Sequence, residues 1–104
     1  MSFRRYEIIL PTRYNDGRVI EEEKYLWVGE QLAVRFGAYT FEPQPVRGVW
    51  VHQGLRYEEN NLRVFVDVEA TAENEAFFQD LKETLKRRFD QIDIWIVSYD
   101  IRIT

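Results

Sequence analysis

The chain has 104 residues, 45% of them hydrophobic and 31% charged, with a formal net charge of −4. This mixture is expected of one soluble globular domain spanning residues 1–104, and it excludes a disordered chain. With no cysteine and one histidine, it excludes a disulfide framework, a thiolate or histidine-rich metal centre and a cysteine nucleophile.

In chain order, Tyr6-Glu7-Ile8-Ile9-Leu10 reads as a first strand, ended by Pro11, which cannot donate to a sheet ladder. Thr12 to Arg18 is polar, contains Asn15-Asp16-Gly17 and reads as a loop. Glu21, Glu22 and Glu23 open a helix, since carboxylates suit the positive end of its dipole. Tyr25, Val28, Leu32 and Phe36 give that helix one apolar face, and Gly37 ends it. Gly29 inside it reads as a tolerated residue costing ~1 kcal/mol relative to alanine. Ala38 to Glu42 looks extended, and Pro43 and Pro45 mark an edge or irregular segment.

The stretch from Val46 to Ala70 reads as a hairpin turning at Asn60-Asn61, because asparagine accepts the positive φ of a two-residue turn. In that register Tyr57 meets Val64 and Leu55 meets Val66 on the helix-facing side. On the other side Glu58 meets Arg63 and His52 meets Glu69, with Asp67 on the same face. Apolar residues thus pair with apolar ones and opposite charges with each other. Thr71 then caps a second helix whose buried stripe is Phe77 or Phe78, Leu81, Leu85 and Phe89. Glu83 and Arg87 are an i, i+4 pair, and Lys86, Arg87 and Arg88 sit in the last turn. The final strand runs from Ile92 to Ile103 and is apolar on both faces. Ile92, Ile94 and Ile96 lie on one side of it, and Trp95, Val97, Tyr99, Ile101 and Ile103 on the other.

The order strand, helix, strand, strand, helix, strand is that of an α+β, ferredoxin-like βαββαβ fold. It places two helices on one face of a four-stranded antiparallel sheet. The face without helices is expected to carry Trp50, Phe65 and one row of the last strand. Apolar patches of that size usually mark an interface or a ligand groove, so a homodimer is expected. The competing arrangement folds residues 38–45 or 12–20 over that face.

Chemistry is harder to find. His52 is the only side chain whose ordinary pKa lies near neutrality. Opposite Glu69 and beside Asp67 it is a candidate acid–base group, although an exposed cross-strand ion pair is the simpler reading. The only serines, Ser2 and Ser98, lack a nucleophile-elbow context. The glycines are too dispersed for a phosphate loop. The acidic runs Glu21-Glu22-Glu23 and Glu58-Glu59 lack calcium-loop spacing, so no metal or cofactor is expected. No apolar run approaches the ~20 residues of a membrane span. Met1 to Arg5 lacks the apolar core of a signal peptide, which leaves a cytoplasmic location as the default expectation. The acidic balance disfavours nucleic acid. The strand-helix order also matches RNA-recognition motifs, but Phe65 alone fits their aromatic pattern, while Asp67 and Glu69 would repel phosphate.

The segments Phe36-Gly37-Ala38-Tyr39-Thr40, Pro45-Val46-Arg47-Gly48-Val49-Trp50 and Phe89-Asp90-Gln91 resemble an FGG-x-T…GxW…FxQ pattern of small uncharacterised bacterial proteins. Ala38 stands where that pattern has a second glycine. The resemblance implies a small compact domain of unknown function and brings no catalytic residue with it. The reading that follows is a non-enzymatic homodimer that binds a partner or small ligand on its aromatic sheet face. Trp50, Phe65, Trp95, Tyr99 and Arg47 are its candidate contact residues. The alternative is a small enzyme resembling the dimeric α+β-barrel monooxygenases and isomerases, with His52, Asp67 and Tyr57 as candidates.

Overall fold

Alternation along the first strand sets up the two sides of the sheet. In β1 (Phe3–Pro11), Tyr6, Ile8 and Leu10 are buried, while Arg5, Glu7 and Ile9 between them are half-covered. This is the period-two pattern of a strand with one packed face. The computed structural model describes residues 1–104, and its elements continue with α1 (Glu22–Phe36), β2 (Thr40–His52), β3 (Leu55–Glu69), α2 (Ala72–Arg88) and β4 (Trp95–Ile101). The strands lie in the order β2-β3-β1-β4 with every neighbouring pair antiparallel. The expected ferredoxin-like α+β arrangement is therefore the observed one.

Local chemistry explains the helix boundaries. Gly37 ends α1 in the left-handed conformation (φ 79°), and its N–H donates to the Ala33 carbonyl. At the start of α2, Thr71 Oγ1 accepts from the Asn74 N–H at 3.1 Å. The expected Glu83–Arg87 pair does not form. Lys86 takes Glu83 at 3.2 Å instead, and Arg87 turns to Thr84 Oγ1. Gly29 is more than tolerated, because the ring of Tyr39 lies against it. A Cβ there would sit 2.5 Å from the tyrosine Oη.

One core lies between the helices and the sheet. Val28 and Leu32 of α1, with Phe78, Leu81, Leu85 and Phe89 of α2 and its C-terminal end, close over Tyr6, Ile8 and Leu10 of β1 and Val64, Val66 and Val68 of β3. The Tyr6 and Phe78 rings stack at 3.9 Å, and Tyr25 meets Phe89 edge-on at 5.6 Å. The Arg88 guanidinium lies 3.8 Å over the Trp27 ring and links the helices. β4 is shorter than expected. Ile92 is exposed and lies before the strand, while Ile94 enters the core just ahead of it.

The hairpin differs from the expected one in both turn and register. The chain reverses at Gln53-Gly54, whose φ values of 51° and 78° suit a two-residue hairpin turn. His52 pairs with Leu55, Trp50 with Tyr57 and Arg47 with Asn60. Asn60 and Asn61 lie inside β3, and Asn61 pairs with Pro11 of β1. The physical reason is the length of alternation in β3. Running straight through the two asparagines lets Val64, Val66 and Val68 all reach the core while β1 bonds along residues 61–69. Pro43 and Pro45 fall where the β2–β3 register shifts between Glu42 and Val46, on an outer strand as expected.

Candidate functional site: the open sheet face and its cleft

Register decides which side chains share the face without helices. Arg5, Glu7 and Ile9 of β1 align with Tyr99, Val97 and Trp95 of β4. On the other flank they align with Asp67, Phe65 and Arg63 of β3. Neither segment that could have covered this face does so. Residues 40–52 lie within the sheet as β2, and the loop before α1 sends Tyr14 and Ile20 into the core. Trp95 is 66% exposed and Tyr99 41% exposed.

The expectation of a greasy surface holds for the β4 row and needs correcting at the centre, which carries a paired ion network. Arg5 donates from Nε and Nη2 to the two Asp67 carboxylate oxygens at 2.7 and 3.0 Å. Arg63 reaches Glu7 at 3.2 Å and also bonds Glu42. Tyr99 donates its hydroxyl to Glu7 at 2.7 Å, and this bond raises the phenol above its ordinary pKa. The Asp67 bonds likewise raise Arg5, and the Glu42 bond raises Arg63, so both guanidiniums stay charged. Phe65 lies under both, 4.3 Å from Arg5 and 5.2 Å from Arg63. The alternation of Arg5, Glu7, Arg63 and Asp67 was present in the sequence, but only strand order makes them neighbours.

On the N-terminal side of Asn61, β3 does not pair with β1. Residues 47–60 form a two-stranded arm around the Gln53-Gly54 turn. One side of the arm carries Trp50 stacked on Tyr57 (4.4 Å between centroids), with His52 5.9 Å from Trp50. Tyr57 thus shares the face of His52 rather than facing the helices. Arg47 lies on the opposite side, bonded to Glu58 at 2.9 Å, and so does not share a surface with Trp50.

The expected acid–base constellation does not assemble. His52 lies across from Leu55, whereas Asp67 and Glu69 sit at the far end of the same 15-residue strand. Twelve residues of extended chain from Leu55 to Asp67 place them about 40 Å away. Asp67 is engaged by Arg5, and Glu69 pairs with Phe3. No group of three or more His, Asp or Glu side chains is arranged to hold a metal ion. No helix is long and apolar enough to cross a membrane.

Where β4 begins, the arm, the end of β1 and the segment joining α2 to β4 surround a cleft of about 750 Å³. Trp50, His52 and Gly48 line it from β2, Asn61 and Glu59 from β3, and Trp95 from β4, while Lys82 and Lys86 reach it from α2. Sequence reasoning singled out Trp50, His52 and Trp95. It missed Asn61, assigned to a turn, Lys86, read as a dipole partner, and Lys82, to which it gave no role.

No protein-family model matches the sequence, and no curated protein is significantly similar to it. Solved structures match its fold. A phage SAM lyase in complex with S-methyl-5′-thioadenosine superposes with a TM-score of 0.68 at 18% identity, over 98% of this chain and 90% of its own. The divalent cation tolerance protein CutA1 from Thermus thermophilus gives 0.66 at 18% identity, covering 98% and 86%. The periplasmic divalent cation tolerance protein CutA from Archaeoglobus fulgidus gives 0.68 at 12% identity, again covering 98% and 86%. At such identities the likeness is one of fold, on which different activities are built.

Proposed function

We propose that this protein is a self-associating binding domain. Its open sheet face seats a second copy, and the cleft at the margin of that face receives a small ligand. The observation that carries this reading is the β4 row Trp95, Val97, Tyr99 and Ile101, separated from Phe65 of β3 by Glu7 of β1 and left uncovered on a sheet whose other face is packed by both helices. An apolar row bordering satisfied ion pairs is how an interface combines burial with fixed register. The fold accommodates a lyase seen with S-methyl-5′-thioadenosine, which supports the small-ligand half of the reading. No residues are assigned to a reaction, because His52 has no acidic partner in the structure.

Light scattering on the chain at micromolar concentration tests the assembly. A face-to-face pair has twice the 12.6 kDa chain mass. A larger whole multiple keeps the face as a seat but replaces the two-fold axis with a cyclic arrangement. Val97→Arg, placed in the middle of the row, is expected to return the protein to a folded single chain. A single-chain mass for the unmodified protein overturns the proposal.

A further inference from the structure

Self-association leaves the interior of the cleft unexplained. Asn61 is only 8% exposed, yet its carboxamide takes part in none of the side-chain hydrogen bonds. Buried amides of this kind nearly always have partners, since each offers two N–H donors and a carbonyl acceptor. No unbonded polar side-chain atom is sealed off from solvent, so the unused bonds of Asn61 open into the cleft that it lines. Gly48 makes the room, because a Cβ there would lie 2.8 Å from Asn61 Nδ2.

The other walls complement that carboxamide. Trp50 and Trp95 both line the cleft. Trp50 is held in place by its stack on Tyr57 and by Nε1 donating to Glu59 Oε1 at 3.1 Å. Lys82 and Lys86, one helical turn apart, add two ammonium groups. Each is met by one surface carboxylate at 3.2 Å, Asp93 and Glu83 respectively. Such exposed contacts exchange readily for a better anion.

We propose that the cleft binds a nucleoside phosphate. The flat base lies on an indole, as bases do on aromatic side chains. Its donor–acceptor edge bonds the Asn61 carboxamide, the pairing that asparagine makes with adenine. The phosphate oxygens meet Lys82 and Lys86. The cleft volume suits a ligand of that size. This assignment rests on the ligand half of the reading above and is independent of the assembly half.

The test titrates the full chain with ADP, adenosine and inorganic pyrophosphate, reading indole fluorescence, with mass measured in parallel. ADP is expected to quench saturably, and adenosine and pyrophosphate to bind at least tenfold more weakly. Asn61→Ala should weaken ADP about tenfold, within the range of one bidentate base contact, and leave pyrophosphate unchanged. Because Asn61 is buried and its variant is exposed to folding defects, the double variant Lys82→Ala/Lys86→Ala on the α2 surface provides the second arm. It should weaken ADP and leave adenosine unchanged. Trp27→Phe, outside the cleft, should preserve the quench. The proposal is overturned by no saturable response to ADP at millimolar concentration, by pyrophosphate binding as tightly as ADP, or by ADP affinity unchanged in the double-lysine variant. A multi-chain mass without an ADP response removes this site alone, whereas an ADP response from a single chain removes the assembly alone.

Discussion

Tyr14 shows how one side chain anchors a loop that contains little regular structure. Its ring is buried with the core, its hydroxyl donates to Glu21, and Arg18 lies 4.7 Å over its face. The hydrogen bond holds the Glu21 carboxyl below its ordinary pKa and the Tyr14 phenol above its own. A depressed carboxyl contributes stability above its unfolded pKa and loses it as pH falls through the folded value. A raised phenol contributes below about pH 10 and loses it as pH rises through the folded value. Tyr25 behaves in the alkaline sense too, since burial pushes it to about 12 while its hydroxyl donates to the Pro11 carbonyl at 2.6 Å. Tyr14→Phe is therefore expected to raise the Glu21 titration toward the usual carboxylate range, measured by carbon-detected NMR. The same variant should lose less stability on acidification than the parent. An unmoved Glu21 titration would assign its depression to the helix N-terminus instead.

At the scale of elements, the arm is the part most easily opened, because residues 47–60 have only one partner strand and two-stranded ribbons are marginal in water. Its turn depends on Gly54 at φ 78°, where a Cβ costs about 1–2 kcal/mol. Gly54→Ala is expected to speed hydrogen exchange of the arm amides roughly tenfold while leaving the β1–β3 amides protected. Uniform acceleration throughout the sheet would show that the arm folds as one unit with the core. The same arm shows what could be read from residues alone. The helices, their caps and the order of elements follow from periodicities of three and four and from Gly37 and Thr71, all local signals. Strand pairing is not local. Two alternating runs satisfy apolar matching in more than one register, so Asn60-Asn61 offered a chemically sensible turn, and the His52–Glu69 pairing came with it. Only the need of β1 for an unbroken partner through Asn61 selects Gln53-Gly54. For the same reason the cleft was half legible, since its tryptophans stand out in any reading while Asn61 and the lysines gain meaning from three-dimensional neighbours.

For the whole molecule, the proposed assembly gives the two sheet faces separate duties, and the ion network is where they can be told apart. The helix side holds the apolar core, so changes on the open side should leave the single chain folded. Arg63 joins Glu7 to Glu42 with its own side chain 32% exposed. In a single chain, losing these pairs costs on the order of 1 kcal/mol, because water reaches the 38% exposed Glu42 while Glu7, only 14% exposed, keeps the Tyr99 hydroxyl. Under a second copy that water is gone, and Glu7 and Glu42 would be buried without their cation, a loss of roughly 3–5 kcal/mol. Arg63→Met is therefore expected to leave the thermal midpoint of the dilute protein nearly unchanged. It should weaken self-association by at least about a hundredfold, measured by sedimentation across a concentration series. Arg56→Met, which removes a 67% exposed arginine on the other side of the arm, should leave both quantities where they were. If Arg63→Met lowered the dilute midpoint as much as it weakened association, the network would belong to the fold of each chain and not to the contact between chains.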